Sequence, residues 1–177
     1  MYSLLLNAFD MVGGYGPMIL FFFSLYLLRD KRNLFFYYVV GIFCNSILNI
    51  VLKGIIQEPR PEEYLKQFNT AVTHGKGIIF KDGMIYNLFG MPSGHSQSVL
   101  FSTLFIYLSL KNTNILFFYL FISLITMFQR VYFNYHSTFQ VFIGAICGAV
   151  FGYIFYFLAK ENIVGKITEK MDDYGPL

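Results

Sequence analysis

Long apolar stretches make up most of the chain, and short polar breaks separate them. The stretches predict five helices, labelled A to E, over about residues 13–28, 34–56, 95–110, 115–129 and 137–159, with residues 3–10 as a further short candidate helix. Several are shorter than the roughly 20 residues of an average membrane span, but polar flanks can extend them where they face a protein-lined cavity. The pattern therefore predicts an all-α, polytopic membrane helix bundle with about five transmembrane helices.

Composition agrees with a membrane protein. Hydrophobic residues form 56% of the 177 residues and charged residues 13%, against roughly 25% charged in soluble domains. This length predicts one domain over residues 1–177, with the lipid bilayer as its partner. The net charge of +3 is small and scattered, which argues against a nucleic-acid partner. Cys44 and Cys147 lie within apolar stretches, so we interpret them as core residues and not as a disulfide or a metal site.

Three polar islands interrupt the apolar pattern. They are Lys53 to Pro61, Pro92 to His95, and Gln129 to Gln140. If helices A to E each cross the membrane once, the end of B, the start of C, the end of D and the start of E share one membrane face. Those are the helix ends that carry the islands. We therefore expect the islands to form one site at that face.

The first island supplies two cations. Lys53 and Arg60 are seven residues apart, about two helical turns, so both can project from one face at the end of helix B. The Pro59-Arg60-Pro61 sequence is expected to end that helix. Taken alone, the pair also fits two side chains that snorkel at the membrane interface.

The second and third islands add a turn and two histidines. Ser93 is a candidate N-cap of helix C, where free N–H groups make an anion site and Gly94 allows an oxyanion to approach closely. Gln140 follows His136 by four residues and can accept its Nδ1–H. A plain cap and turn, and an interfacial histidine beside an amide, are the ordinary alternatives. The occurrence of all three islands on one face favours a functional site.

The motifs Lys-x6-Arg-Pro, Pro-Ser-Gly-His and Arg-x5-His resemble the three signature motifs of the type 2 phosphatidic acid phosphatase superfamily. The resemblance covers residues 53–140 in the right order. Gln129 stands where a Ser normally precedes the Arg, and Gln140 stands where an Asp normally follows the His. The stretches 90–97 and 130–141 look like the dolichyldiphosphatase branch, which also carries Gln in place of that Asp.

The resemblance implies a two-step hydrolysis that uses neither a metal nor another cofactor. It gives His136 the role of nucleophile, Gln140 that of fixing its tautomer, and His95 that of acid and then base. The phosphoryl oxygens would be held by Lys53, Arg60, Ser93, Gly94 and Arg130. The acidic residues Glu58, Glu62 and Glu63 are expected to be solvated.

Three functions stay open at this point. The first is hydrolysis of a polyprenyl diphosphate, with dolichyl diphosphate as the favoured substrate. The second is a phosphatidate or other lipid-monophosphate phosphatase. The third is a catalytically silent lipid-binding protein, for which Gln129 is the main support. The Gln140 pattern favours the first.

Basic residues predict the orientation in the membrane. The face opposite the islands would carry Arg29, Lys31, Arg32, Lys111, Lys160, Lys166 and Lys170, whereas the island face adds only Lys66, Lys76 and Lys81 to the site cations. The positive-inside rule then places the site on the extracytoplasmic face, and the resemblance suggests the lumen of the endoplasmic reticulum. The loop over residues 57–93 would be extracytoplasmic, with a hairpin over residues 78–86 around Asp82-Gly83.

Overall fold

Five helices and one hairpin form the part of the chain that the computed structural model describes, residues 2–61, 68–69, 72–73, 78–81 and 84–161. In chain order the elements are α1 (Tyr2–Leu28), α2 (Arg32–Ile56), β1 (Ile78–Lys81), β2 (Met84–Asn87), α3 (Gly94–Leu110), α4 (Thr113–Tyr132) and α5 (Thr138–Glu161). The predicted all-α bundle is therefore confirmed. The two strands pair antiparallel, with Ile78 opposite Asn87, as the hairpin pattern predicts. Asp82 and Gly83 lie outside the described residues.

The first helix differs from the prediction. The predicted short helix over residues 3–10 and the predicted helix A form one continuous helix, α1. It runs through the Gly13-Gly14-Tyr15-Gly16-Pro17 sequence. Two of these glycines lie against α4, because a Cβ at Gly13 would meet the Gln129 side chain and one at Gly16 would meet Thr126. Small residues of this kind let membrane helices approach closely, so the glycines mark a helix contact and not a break.

The connections between the helices alternate between the two ends of the bundle. Residues 29–31 join α1 to α2 and residues 111–112 join α3 to α4 at one end. The described residues between α2 and α3, together with residues 133–137 and the start of α1, lie at the other end. The end of α2, the start of α3, the end of α4 and the start of α5 therefore share one end of the bundle, as the sequence predicts.

Helix α3 lies in the middle and packs against all four of the other helices. Those four are each long and apolar enough to cross a membrane. Their outward faces carry large hydrophobic side chains, such as Phe43 (65% exposed), Phe117 (66% exposed) and Phe142 (59% exposed). An apolar outer surface around a partly polar interior is the arrangement expected of a bundle surrounded by lipid.

Helix α5 packs on α3 through a row of glycines. A Cβ at Gly144 would lie 2.5 Å from the carbonyl oxygen of Ser93, one at Gly148 would meet the carbonyl oxygen of Gln97, and one at Gly152 would lie 2.7 Å from that of Phe101. The glycines are four residues apart and therefore share one helix face. Their lack of side chains allows the two backbones to approach, which brings the start of α5 next to the turn before α3.

Most of the buried Lys, His, Asn and Gln side chains lie at the island end of the interior. Away from the islands, the core contains Leu28, Leu34, Phe105, Ile106 and Ala159. The island end buries many polar side chains as well, and they include Asn45, Lys53, Ser93, Ser96, Gln97, Gln129, His136 and Gln140. Burying polar groups is costly unless they are hydrogen-bonded. Their concentration at one end indicates a site there.

The α3–α5 contact can be tested by adding one methyl group. We expect Gly148→Ala to lower the thermal midpoint, because the new Cβ meets the Gln97 backbone and overpacking costs about 1–3 kcal/mol. Gly54→Ala on α2 is the matched control, since a Cβ there has no neighbour within 4 Å and alanine is the better helix former. Circular dichroism melts in detergent measure both. Equal midpoints for the two variants would contradict this packing.

Candidate active site

Lys53 and Arg60 reach the site in different ways. Lys53 lies in the last turn of α2, is buried, and donates from Nζ to the carbonyl oxygen of Phe89 at 2.8 Å. Helix α2 ends at Ile56, and Gln57 adopts a left-handed conformation with φ 50°. Arg60 therefore does not continue the helix, and the expectation that both cations project from one helical face is wrong. They meet because the chain turns back at Gln57.

The segment around Arg60 is tied to the segment that follows the hairpin. Arg60 Nε donates to the carbonyl oxygen of Asn87 at 2.8 Å. Pro59 forms an isolated bridge with Phe89, and the Gly90 N–H donates to the carbonyl oxygen of Glu58 at 2.7 Å. These bonds fix the first island against the residues that lead into the second.

Ser93 precedes α3 in the N-cap position, as predicted, but its side chain makes no capping bond. Its hydroxyl instead accepts from Ser96 Oγ at 3.2 Å, and its N–H donates to the carbonyl oxygen of Gln140 at 3.1 Å. The first N–H groups of α3 therefore have no side-chain cap among the described residues. Gly94 lies close to Asn49, since a Cβ there would be 3.1 Å from Asn49 Oδ1.

His136 lies in the turn between α4 and α5 and is 3% exposed. Its Nδ1–H donates to Gln140 Oε1 at 3.2 Å, and Arg60 lies 3.5 Å from its other nitrogen, Nε2. Arg60 also donates to the carbonyl oxygen of Tyr135 at 3.2 Å. The structure therefore brings the first and third islands into contact at the imidazole ring.

The Gln140 side chain uses all of its hydrogen-bonding capacity. Oε1 accepts from His136 and from the Ser137 N–H at 3.2 Å, while the Gln140 N–H donates to Ser137 Oγ. The reciprocal bonds between Ser137 and Gln140 form a capping box at the start of α5. Nε2 donates to Glu58 Oε1 at 2.8 Å and to the carbonyl oxygen of Pro59 at 2.7 Å. The amide orientation follows from this network.

Glu58 corrects one expectation. Its side chain is half-buried and bonded to Gln140, so it is not a solvated surface residue. Glu62 and Glu63 lie outside the described residues. Sequence analysis also missed the Ser137-x-x-Gln140 capping box, although that pattern can be read from the sequence.

His95 and Arg130 complete the set of predicted residues. His95 Nε2–H donates to the carbonyl oxygen of Gly14 on α1 at 3.2 Å, and the positive charges of Arg130, Arg60 and Lys53 all act on its ring. The Arg130 guanidinium lies over the Tyr135 ring, 4.8 Å from its centre. All eight predicted site residues thus lie at one end of the bundle.

Helix α1 contributes residues that the sequence did not single out. Gln129 Nε2 donates to Asp10 at 2.6 Å, so the residue in the place of the usual Ser is engaged with α1.

Asn49 on α2 donates to the Pro92 carbonyl oxygen at 3.1 Å and to Gln97 Oε1 at 2.8 Å. An Asn within an apolar stretch is itself a signal of function or of a buried network, and Asn49 could have been found that way.

The charges around His136 favour its neutral form. Burial lowers its pKa to about 3, and the positive charges of Arg60 and Lys53 contribute, whereas the hydrogen bond to Gln140 opposes the shift. With a proton on Nδ1, the lone pair of Nε2 is available at neutral pH. Among the described residues, no group of three His, Cys, Asp or Glu side chains could hold a metal ion.

Comparison with known proteins identifies the class. Residues 33–163 match the PAP2 superfamily, and the chain belongs to that family. The match includes all eight candidate residues, all of α3, α4 and α5, and α2 except its first residue, so the predicted resemblance is confirmed.

Individual relatives agree with the predicted branch. The chain is 36% identical to the dolichyldiphosphatase of Saccharomyces cerevisiae over 73% of its own length and 51% of the yeast protein. It is 33% identical to mouse dolichyldiphosphatase 1 over 68% of this chain and 51% of that protein. The chloroplastic lipid phosphate phosphatase epsilon 2 of Arabidopsis thaliana is 31% identical over 73% of this chain and 41% of that protein. The chain thus spans about half the length of these relatives. No solved structure matches it.

The low pKa of His136 predicts how stability depends on pH. A free histidine has a pKa of about 6.5, so between pH 6.5 and about 3 the unfolded chain binds a proton at this residue and the folded chain does not. The contribution of His136 therefore lowers the free energy of unfolding as the pH falls through that range, by up to about 1.4 kcal/mol per pH unit.

We expect the thermal midpoint of the parent to fall further than that of His136→Asn when the pH is lowered from about 7.5 to about 5. The variant lacks the titrating ring, so all other groups serve as an internal control. A parent and variant that fall in parallel would contradict a buried neutral imidazole.

Proposed function

We propose that this chain is a metal-independent lipid phosphatase that hydrolyses a polyprenyl diphosphate, with dolichyl diphosphate converted to dolichyl phosphate and phosphate. The observation that carries the proposal is the state of His136. Its Nδ1–H is bound by Gln140, while its Nε2 lies beside the Arg60 guanidinium. A neutral imidazole with one nitrogen fixed and the other next to a cation is suited to attack a phosphoryl group that the cation holds.

The first step transfers the terminal phosphoryl group to the protein. The Nε2 lone pair of His136 attacks the terminal phosphorus, an N–P bond forms, and the bond from phosphorus to the bridging oxygen breaks. His95, which carries a proton on both ring nitrogens once the anionic substrate offsets the surrounding cations, gives its Nδ1 proton to that oxygen, so dolichyl phosphate leaves. The phosphoryl oxygens are held by Lys53, Arg60 and Arg130 and by the N–H groups at the start of α3. These groups stabilise the negative charge as it shifts among the oxygens.

The second step returns the protein to its starting state. Water attacks the phosphorus of the phosphohistidine, His95 takes a proton from the water, and the N–P bond breaks to release phosphate. His95 Nε2–H is bound by the Gly14 carbonyl, which assigns the proton transfers to Nδ1. Three fixed cations supply the positive charge that a divalent metal supplies in other phosphoryl transferases.

A cavity beside His95 supports a lipid substrate. It has a volume of about 380 Å³ and lies between α1, α2 and α3, with Asn49 and His95 at its lining. Met18 and Ile50 line it as well and are 52% and 63% exposed on the outer surface of the bundle. An apolar space that connects the site with the lipid-facing surface can accept the first part of an isoprenoid chain.

Charge asymmetry supports the orientation. Arg29, Lys31, Arg32, Lys111 and Lys160 lie at the end of the bundle opposite the candidate site, and cytoplasmic loops carry the excess of basic residues. We therefore propose that residues 1–177 form one integral membrane domain whose loop over residues 57–93 and active site face the lumen of the endoplasmic reticulum.

A phosphatidate or other lipid-monophosphate phosphatase is the second candidate. The observation that favours it is the 31% identity to a lipid phosphate phosphatase. Both candidates use the same chemistry, so substrate comparison distinguishes them.

The catalytic scheme predicts the effect of removing the nucleophile. His136→Asn should lower phosphate release by at least about a thousandfold, as the loss of a nucleophile does elsewhere, while EDTA should leave the parent unchanged. Phosphate release from dolichyl diphosphate by purified protein measures both. Retention of activity within about tenfold of the parent, or inhibition by EDTA that Mg²⁺ reverses, would contradict the scheme. His136→Asn must keep a single species on gel filtration as a control for folding.

The substrate class is tested with three lipids at equal surface concentration. We expect the parent to have a kcat/KM for dolichyl diphosphate at least about tenfold above those for farnesyl diphosphate and phosphatidate, because farnesyl diphosphate has a shorter apolar chain and phosphatidate has only one phosphate to bind the site cations. A preference for phosphatidate would favour the second candidate. A folded parent inactive on all three would favour the silent lipid-binding alternative.

A further inference from the structure

Glu58 lies directly behind the residue that holds the nucleophile. Its Oε1 accepts from Gln140 Nε2 at 2.8 Å, and Gln140 Oε1 in turn accepts from His136 Nδ1. A deprotonated carboxylate can only accept hydrogen bonds, so it requires the Nε2 side of the amide to face it. The Oε1 side is thereby directed towards His136, which must then carry its proton on Nδ1.

The backbone holds Glu58 in this place from both sides. Its own carbonyl oxygen accepts from the Gly90 N–H at 2.7 Å, and the next residue, Pro59, forms the bridge with Phe89. A Cβ at Gly90 would lie 2.5 Å from Gln140 Oε1. Gly90 therefore leaves the space in which the amide and the carboxylate meet, and the contact is part of a fixed local structure.

Charge explains why a carboxylate is useful there. When Nε2 of His136 bonds to phosphorus while Nδ1 keeps its proton, the ring becomes positively charged. Gln140 can orient the ring, but a neutral amide cannot balance that charge. A hydrogen bond from the amide to a carboxylate polarises the amide and strengthens acceptance at its oxygen. The effect grows as the ring charge develops, so it favours the transition state over the resting state.

We propose that Glu58 is a positioning residue for phosphoryl transfer, which acts through Gln140 to orient His136 and to stabilise its positive charge. This role rests on the proposed function. In the family pattern an Asp stands at the position of Gln140. Here Gln140 contacts His136, and the carboxylate of Glu58 lies on the other side of the Gln140 amide.

Neutralising the carboxylate without changing its shape tests the proposal. Glu58→Gln should lower kcat for dolichyl diphosphate by about 10- to 100-fold, the range expected for a charge-assisted hydrogen bond, with KM within about threefold because Glu58 does not touch the substrate. Glu161→Gln is the matched control, since Glu161 is exposed at the opposite end of the bundle. It should keep the activity of the parent.

Exchanging the two side chains separates a charge effect from a structural one. Gln140→Glu places two carboxylates in contact, so one of them must hold a proton. The activity of Gln140→Glu should therefore fall as the pH rises. The double variant Glu58→Gln with Gln140→Glu again has one carboxylate, so it should lose that pH dependence and recover at least about tenfold in kcat over Gln140→Glu.

Each outcome decides one question. An active parent whose kcat is matched by Glu58→Gln would overturn the role of Glu58 and leave the proposed function intact. A Glu58→Gln defect in which KM and the thermal midpoint change together with kcat, without recovery in the double variant, would also overturn it. An inactive parent would remove the proposed function and this role with it.

Discussion

The side-chain amide of Gln140 is the point on which the arrangement of the site depends. Its oxygen accepts from His136 Nδ1–H and from the Ser137 N–H, and its nitrogen donates to Glu58 Oε1 and to the Pro59 carbonyl oxygen. The backbone carbonyl of the same residue accepts from the Ser93 N–H. One residue thus connects all three polar islands. Because the amide is 1% exposed, a partner lost from this network would leave a buried polar group unsatisfied.

The packing of the helices makes this connection possible. Gly144, Gly148 and Gly152 let α5 approach the backbone of α3, which places the start of α5 beside the turn before α3. The apolar core cluster stabilises the bundle away from the site. The island end can then hold the buried side chains of Lys53 and His136, because Lys53 donates to the Phe89 carbonyl oxygen and His136 donates to Gln140.

The long apolar stretches and the order of the islands were enough to predict five helices, their shared end, and the meeting of Lys53, His95 and His136 there. The sequence could not reveal that Gln57 reverses the chain before Arg60, because a left-handed residue at a helix end is set by local packing. The prediction that Glu58 is solvated was wrong. It followed the usual behaviour of an acidic residue after a helix. The contacts of α1 with His95 and Gln129 depend on tertiary packing between residues about 80 to 120 positions apart, which spacing does not encode.

The covalent intermediate is the central claim, and trapping it is the most direct measurement. The purified parent is mixed briefly with dolichyl diphosphate labelled in its terminal phosphate, quenched in alkaline detergent, and digested to locate the label. The account predicts an alkali-stable, acid-labile label on the peptide that contains His136, absent from His136→Asn. Turnover by the parent without any protein-bound label, or with label on a different residue, would contradict it.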